Sequence, residues 1–404
     1  MTTTRTDLLI VGAGPAGAAT AIRAARAGLR VLVVDRARFP RDKACAEYMS
    51  PETLRQLDLL GVLRAVESLS GQPLEGTTVV GPRGSRLTGL FALAAHPPFR
   101  PLGLSLPRKA FDHQLVLAAR AAGAEVLEMA QVIELLYEEG AVAGVVLREP
   151  GGTTRPVRAR LTVGADGLRS IVARRLGGRR HGRPSRLAFV AHVRDVTDLG
   201  SRAEMHVGAD GYVGLNPLGP RLANVALVVP AAAAGAVRGR PEPWFFETLE
   251  AFPGVRGRVH PERLVRRVLV TGPFSASSRR VVADGAILVG DAADFFDPFT
   301  GEGICAALQG AELAAETALE ALAAPGPVLA RHLQEYIRAR RARFAGKWVV
   351  ERLIGYGMYL PAFFDRAVDR IERRGWSHTV VGVTGDFVPP RELLTPRFLA
   401  GLLW

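Results

Sequence analysis

Cysteine is scarce in this sequence, because Cys45 and Cys305 are the only two among 404 residues. Two cysteines give no disulfide framework, and their scarcity suits a protein of the reducing cytoplasm. The eight histidines are dispersed along the chain, without the spacing of a metal-ligand cluster. We therefore expect a cytoplasmic protein that holds no metal ion.

Long apolar runs are also missing from the chain. A membrane-spanning helix needs about 18 or more consecutive apolar residues. The nearest candidate, residues 222–237, is interrupted by Asn224 and Pro230. Residues 1–7 are few and polar, so we expect no signal peptide before the first strand.

Acidic residues are outnumbered, with 39 Asp and Glu against 52 Lys and Arg and a net charge of +13. An excess of basic residues attracts nucleotide phosphates, acidic lipid surfaces or nucleic acids. A GC-rich genome, which encodes much arginine, would produce the same excess without such a partner. The basic residues are scattered and do not form a patch with aromatic residues, so we expect no nucleic-acid binding.

The most informative stretch lies near the start, where the apolar residues 8–11 lead into three glycines spaced G-x-G-x-x-G. An alanine-rich segment follows, so the pattern predicts a strand, a tight turn and a helix. In such a turn Gly12 permits the sharp bend and Gly14 lets the backbone approach a pyrophosphate. Gly17 lets the helix pack closely on the strand. This spacing predicts a dinucleotide site with the phosphates at the helix N-terminus.

A second apolar run, Val31–Val34, ends in Asp35 and Arg36. At this position a carboxylate accepts hydrogen bonds from the ribose hydroxyls of an adenosine, which supports the assignment. The fingerprint alone does not separate NAD from FAD. Its place at the N-terminus favours FAD.

Two later segments repeat the pattern of an apolar strand that ends in an acidic residue. Residues 161–167 place Asp166 between two glycines, and residues 286–291 lead into Asp291. At the second strand end a carboxylate can accept a hydrogen bond from a ribityl hydroxyl. A predicted helix over 303–322 then presents its positive N-terminus to an anionic reduced flavin.

The remaining chain predicts an α/β protein with three parts. Residues 1–75, 101–180 and 271–330 are assigned to a discontinuous FAD-binding domain. Residues 76–100 and 181–270, which mostly alternate as strands do, are assigned to a sheet lobe over the cofactor. Residues 331–404 are assigned to a mainly helical C-terminal segment, helical to about residue 374.

Together, the three strand-end motifs resemble those of flavoproteins with the para-hydroxybenzoate hydroxylase fold. The loop 39–47, the Ser50-Pro51 pair after it and the segment 290–303 are most similar to the geranylgeranyl-reductase-like family. The resemblance implies a Rossmann-like FAD/NAD(P)-binding domain with an inserted antiparallel-sheet substrate lobe. It also implies roles for further residues. Arg108 is expected near the FAD phosphates, the Val132 backbone near adenine, and Asp166 where FAD and nicotinamide binding meet. The expected cofactor contacts further include Ala16, Cys45, Gly301, Gly303 and Ile304, and the expected catalytic residues are Cys45, Tyr212 and Pro298.

The chain departs from this family in its substrate lobe. Isoprenoid reductases carry Tyr-x-Trp-x-Phe-Pro, whereas residues 212–217 keep only Tyr212 and Pro217 of that pattern. The Trp-x-Trp-x-Ile-Pro motif of the halogenases is absent as well, and Ala46 replaces the glycine that usually follows the loop cysteine.

The resemblance implies an FAD-dependent oxidoreductase that reduces isoprenoid carbon–carbon double bonds with electrons from NAD(P)H. An alternative is a flavin monooxygenase that hydroxylates an aromatic or polyketide substrate. An alternative outside enzymes is a flavin-binding protein that docks on membranes through the basic segment 331–374. The expected partners are an apolar small molecule or lipid, a membrane surface contacted peripherally at its inner face, and a separate electron-donor reductase.

Overall fold

The structure is a computed structural model that describes residues 6–403. It contains two large sheets, two small sheets and a set of C-terminal helices. The strands are β1 (Thr6–Val11), β2 (Val31–Val34), β3 (Tyr48–Met49), β4 (Gln72–Leu74), β5 (Gly76–Val80), β6 (Arg86–Leu90), β7 (Gly103–Ser105), β8 (Glu125–Leu127), β9 (Gln131–Glu138), β10 (Ala141–Arg148), β11 (Thr154–Gly164), β12 (Arg179–His181), β13 (Arg186–Arg194), β14 (Ala203–Gly208), β15 (Gly211–Gly219), β16 (Leu222–Pro230), β17 (Leu264–Thr271), β18 (Ala276–Ser278), β19 (Val282–Ala283), β20 (Ala286–Leu288) and β21 (Asp294–Phe295). The α-helices are α1 (Pro15–Arg26), α2 (Pro51–Leu59), α3 (Leu63–Glu67), α4 (Arg108–Ala121), α5 (Ile171–Arg175), α6 (Pro241–Leu249), α7 (Gly303–Ala323), α8 (Gln334–Gly357), α9 (Pro361–Arg373), α10 (Ser377–Thr384) and α11 (Pro396–Leu403).

The central sheet has the order β19-β20-β11-β1-β2-β8, and the strands from β20 to β8 run parallel. Both faces are covered, which explains why β1 is apolar from Leu8 to Val11. Leu8 and Ile10 pack in the core that includes α1, α4 and α7, and Leu9 and Val11 pack in the core on the opposite face. The predicted Rossmann-like α/β class is confirmed, and the three strands that carry the predicted motifs lie side by side.

The second large sheet has seven strands in the order β17-β13-β16-β15-β14-β5-β6. Successive residues of β13 lie on opposite faces of this sheet. Phe189 and Ala191 pack in the core with α6, and Ala188 and Val190 face the other side. The pairing of β5 with β14 is parallel, so this sheet is mixed, whereas the sequence predicted an antiparallel one. The division of the chain into domains stays a prediction.

The C-terminal region is helical, as predicted, but it is not one continuous helix. A break at residues 358–360 separates α8 from α9, and Pro361 begins the second helix. Beyond Trp376 the sequence allowed no assignment, and the structure has α10 and α11 there. Val383 of α10, Phe398 of α11 and Val388 between the two helices are buried in a core that also contains Leu87 of β6. Among residues 6–403, no helix combines the length and the apolar composition needed to cross a bilayer.

A buried polar cluster joins α7 to the C-terminal helices. Ser50 Oγ donates a hydrogen bond to Glu302 Oε2 (3.0 Å), and Lys347 Nζ donates one to Asp386. Burial, and then the nearby Asp386 carboxylate, raise the pKa of Glu302 to about 8. Glu302 and Asp386, together with Cys305, are the one group of three potential metal ligands in the described part of the chain. The Lys347 ammonium already supplies a cation to this group.

We predict that the Glu302 carboxyl group makes stability depend on pH. Its pKa is higher in the folded protein than in the unfolded chain, so the protein should lose stability as the pH rises from about 5 to about 8. Glu302→Gln should flatten this dependence, by at most about 1.4 kcal/mol per pH unit. Urea unfolding at several pH values measures the effect. Glu316→Gln, an exposed change on the same helix, should leave the dependence unaltered, and an unaltered slope for Glu302→Gln would contradict the prediction.

Candidate active site

One cavity lies between the carboxyl edge of the central sheet and the inner face of the seven-stranded sheet. Every predicted site residue except Gly17 lines it. The residues that the structure brings together there are Gly12, Gly14, Ala16, Asp35, Arg36, Cys45, Arg108, Val132, Asp166, Tyr212, Asp291, Pro298, Gly301, Gly303 and Ile304. Residues far apart in the sequence meet at this place because parallel strands end at the same edge of a sheet.

The β1–α1 turn uses its three glycines in different ways. Gly12 has a φ of +100°, and a Cβ there would lie 2.6 Å from the carbonyl oxygen of Ala165. A Cβ on Gly17 would lie 1.8 Å from the carbonyl oxygen of Gly12, so Gly17 sets the contact between helix and strand. Gly14 differs, because a Cβ there would meet no protein atom nearer than 3.8 Å, at Arg41 Nη2. Gly14 therefore leaves space open toward the cavity.

The Asp35 carboxylate is fixed by the backbone at the end of β2. Its Oδ2 accepts a hydrogen bond from Ala13 N–H (2.8 Å) and its Oδ1 accepts one from Ala37 N–H (2.8 Å). Each oxygen keeps a second lone pair that can accept from a hydroxyl in the cavity. The contact of Asp35 with a ribose stays a prediction, and this geometry leaves both oxygens able to make it.

Asp166 and Asp291 lie at the ends of the next two strands. Asp166 Oδ2 accepts a hydrogen bond from Ile171 N–H (2.6 Å), and its buried Oδ1 has no partner among the described residues. Burial raises the pKa of Asp166. Burial also raises the pKa of Asp291, and this rise is opposed by Lys43, Arg108 and other cations. The unsatisfied oxygen of Asp166 points to a missing hydrogen-bond donor in the cavity.

Cations line the side of the cavity nearest to Gly14. The Arg108 guanidinium donates two hydrogen bonds to Asp112 (2.6 and 2.8 Å), and Arg41 forms an ion pair with the same carboxylate at 3.0 Å. Arg108 lines the cavity as well, and its predicted contact with a phosphate stays a prediction. Arg41, which sequence reasoning did not single out, lies closer to the glycine turn. Lys43 also lines the cavity, and burial lowers its pKa.

The loop that carries Cys45 is fixed by contacts that sequence reasoning missed. Glu47 is fully buried with a φ of +61°, and its Oε2 lies 2.6 Å from His192 Nε2. Asn224 Nδ2 donates to Glu47 Oε2 (2.9 Å) and to the Cys45 carbonyl oxygen (2.8 Å). Asn216 Nδ2 donates to the Ala46 carbonyl oxygen (2.9 Å). The only signal in the sequence was an asparagine within each of two apolar strands.

Tyr212 begins a second buried network beside the cavity. Its hydroxyl donates to Asp297 Oδ1 (2.6 Å), and Arg186 Nη1 donates to Asp297 Oδ2 (2.7 Å). Burial and the Asp297 carboxylate raise the pKa of Tyr212 well above its usual value. Pro298 lines the cavity directly after this aspartate. Tyr212 therefore presents its ring to the cavity and keeps its hydroxyl on Asp297.

Two cross-strand rows form an apolar surface on the opposite side of the cavity. In the first row Ala188 pairs with Thr271 and Val228, and Val228 pairs with Tyr212. In the second row Gly214 pairs with Ala226 and Met205, and Ala226 pairs with Val190. Each row crosses four strands at a spacing of about 4.8 Å and is therefore about 14 Å long. We call these eight residues the apolar floor, and none of them carries a charge.

These features fit a bound FAD. Gly14 leaves open the space that a side chain would fill at the N-terminus of α1, where a pyrophosphate binds. The N-terminus of α7, from Gly303 to Ile304, reaches the same cavity. Asp35 and the unsatisfied Asp166 oxygen supply acceptors for hydroxyl groups.

Comparison with known proteins supports this assignment. Residues 5–347 match the family described as FAD binding domain. A digeranylgeranylglycerophospholipid reductase of Methanococcoides burtonii is 33% identical over 359 residues, which cover 86% of this chain and 82% of the relative.

Two solved structures show the same fold. The geranylgeranyl bacteriochlorophyll reductase-like protein of Thermoplasma acidophilum matches with a TM-score of 0.72 and 22% identity, over 99% of this chain and 96% of that one. The myxobacterial chondrochloren halogenase, an FAD-dependent halogenase, matches with a TM-score of 0.79 and 26% identity, over 88% of this chain and 83% of that one. The cavity, the domain match and the identity to a curated reductase agree. This chain is an FAD-dependent oxidoreductase and belongs to the FAD-binding protein family that includes the digeranylgeranylglycerophospholipid reductases.

Proposed function

We propose that this oxidoreductase reduces carbon–carbon double bonds in the isoprenoid chain of a lipid, with electrons from NAD(P)H. The name of the relative from Methanococcoides burtonii supports the class of substrate. No second dinucleotide fingerprint is present in the sequence, so the nicotinamide docks transiently or a separate reductase delivers the electrons.

The apolar floor is the observation that carries this proposal. Its second row, formed by Val190, Ala226, Gly214 and Met205, combines small side chains with one flexible thioether. Such a surface accepts an extended hydrocarbon chain and gives a charged substrate no partner. A Cβ on Gly214 would lie 3.3 Å from Met205 Sδ. The glycine therefore leaves space over the middle of the row for a substrate chain.

In this proposal the two sides of the cavity have separate tasks. Gly14 and Asp35 hold the pyrophosphate and ribose groups of FAD, and Asp166 lies where FAD and nicotinamide binding meet. Asp291 with the N-terminus of α7 holds the flavin end. Bound FAD supplies the redox chemistry, and the protein supplies position and excludes water. Cys45 lines the cavity in a loop held by Asn216 and Asn224. We assign Cys45, Tyr212 and Pro298 to the substrate side.

The same proposal places the protein at the inner surface of a membrane, because an isoprenoid lipid resides in the bilayer. Segment 331–374 is basic, which supports attraction to anionic headgroups. The protein then contacts the membrane peripherally from the cytoplasm.

Gly14→Val is predicted to weaken FAD binding by about a hundredfold or more, equal to about 2.8 kcal/mol, because the side chain fills the space for the pyrophosphate. The fold should persist, since no protein atom lies within 3.5 Å of the new Cβ position. Flavin released on denaturation and circular dichroism measure the two effects. Gly200→Ala, which meets nothing within 4 Å, is the neutral control. Normal flavin content in Gly14→Val would show that the phosphates bind elsewhere.

Gly17→Ala should instead lower the free energy of unfolding of the protein, by about 3 kcal/mol or more.

Gly214→Phe is predicted to raise the KM for a long isoprenoid substrate by about tenfold and to leave flavin content unchanged. The phenyl ring would occupy the second row of the apolar floor, away from the β1–α1 turn. Gly219→Phe, on the same strand with open space around it, is the matched control. An unchanged KM in Gly214→Phe would show that the substrate does not bind on this surface.

The third prediction separates reduction from oxygen-dependent chemistry. The likeness to an FAD-dependent halogenase keeps a flavin monooxygenase as the alternative. We expect substrate to reoxidise the reduced enzyme under strict anaerobiosis, with the flavin absorbance returning and one double bond lost per turnover. Product formation that requires oxygen would refute the reductase and favour the monooxygenase.

A further inference from the structure

The turn between α8 and α9 exposes large apolar side chains that the folded chain leaves uncovered. Five of these side chains lie within a stretch of twelve residues, and each is about half exposed. We call these five residues the corner patch. Its members are Val349 (45%), Leu353 (53%), Tyr356 (52%), Tyr359 (51%) and Leu360 (60%). Spacings of four and three residues place Val349, Leu353 and Tyr356 on one side of α8, and Tyr359 and Leu360 follow in the break before α9. Apolar residues grouped in this way on a surface mark a binding site.

The solvent-facing side of α8 changes from basic to apolar along its length. Arg341 and Arg352 line a groove beside Trp348 and Val349 on this helix. Neither arginine forms an ion pair with a carboxylate in residues 6–403. The surface therefore offers cationic groups and an apolar, tyrosine-containing patch together, which is the composition of helices that lie in the membrane interface.

The opposite side of the same segment packs against residues that line the cavity. Ile354 and Met358 pack in one cluster with Tyr212, Phe295 and other residues around the apolar floor. The Gly355 carbonyl oxygen accepts a hydrogen bond from Arg186 Nη2 (3.3 Å), which fixes this segment to the buried network of Asp297. The corner patch is thus separated from the cavity by one helix, about 10 Å thick, and by the layer of cavity-lining side chains on which that helix packs.

We infer that the corner patch, with Arg341 and Arg352, docks this protein on an anionic membrane and places its cavity next to the lipid. This inference rests on the proposed lipid substrate for its purpose, and it names the surface that meets the bilayer. Leu353 and Leu360 insert at the boundary between the lipid headgroups and the acyl chains. Tyr356 and Tyr359 lie at the level of the headgroups, and the two arginines contact lipid phosphates.

A second copy of this chain is the other candidate to cover the corner patch. A two-fold interface presents the same residues from both partners. It would bring Arg341 and Arg352 of one copy close to the same two cations of the other, which repel each other. An anionic headgroup neutralises these charges, so charge complementarity favours the membrane.

The test uses the full-length holoenzyme and co-sedimentation with two kinds of vesicle, phosphatidylcholine alone and phosphatidylcholine mixed with phosphatidylglycerol. The wild-type protein should bind the anionic vesicles, and added salt should weaken the binding. Leu353→Glu combined with Leu360→Glu should weaken it by about tenfold or more. Arg341→Gln should reduce the preference for anionic vesicles and keep the flavin content.

The matched control introduces two glutamates far from the corner patch, with Leu59→Glu and Leu117→Glu, whose side chains are also exposed (53% and 43%). It should bind vesicles like the wild type. Equal loss in this control, or no wild-type binding, would overturn the inference. A change from dimer to monomer in sedimentation velocity, caused only by the patch variant and without vesicle binding, would assign the patch to a second copy.

Activity assays separate this inference from the proposed function. The patch variant should reduce an isoprenoid lipid in detergent at the wild-type rate and lose activity on the same lipid in vesicles. Vesicle binding through the corner patch, with no isoprenoid reduction in either medium, would support the docking surface and refute the proposed function. If the wild-type protein reduces the isoprenoid lipid in detergent but does not bind vesicles, the docking surface alone is refuted.

Discussion

The contact between Gly17 and the carbonyl oxygen of Gly12 is the constraint on which the active site depends. A Cβ at position 17 would lie 1.8 Å from that oxygen, so only glycine lets α1 begin directly against the end of β1. This packing directs the N-terminus of α1 toward the carboxyl edge of the sheet. Asp35, Asp166 and Asp291 reach the same edge because their strands run parallel to β1.

The second requirement is that two polar networks hold the substrate side in place. One fixes the Cys45 loop through Glu47, His192 and Asn224. The other connects Tyr212 and Arg186 through Asp297, and Arg186 reaches the backbone of α8. Buried groups of this kind are costly when a partner is lost, so they specify one arrangement of loop, sheet and helix. The position of the C-terminal helices is thereby tied to the shape of the cavity.

The cofactor side of the site was predictable because its signals are local. The glycine spacing at 12–17 and the acids after apolar strands each lie within a few residues of one another, and strand ends converge by the rules of parallel sheets. Contacts across the chain gave no such signal, since Glu47 meets His192 and Asn224 over separations of 145 and 177 residues. The contact of Arg108 with a phosphate stays a prediction, because the residue lines the cavity and its guanidinium also donates to Asp112 one helical turn later. The short helices α10 and α11 were not predicted, because helices of eight residues owe their stability to tertiary packing more than to propensity.

The central claim is that one cavity holds FAD along the strand ends and an isoprenoid chain on the apolar floor. A crystal structure of the protein with FAD and an isoprenoid lipid tests it most directly. We expect electron density for the pyrophosphate beside Gly14, for the flavin ring before the N-terminus of α7, and for the hydrocarbon chain across Gly214 and Ala226. Density for FAD outside this cavity, or for the lipid on a different surface while the apolar floor holds only water, would contradict the claim.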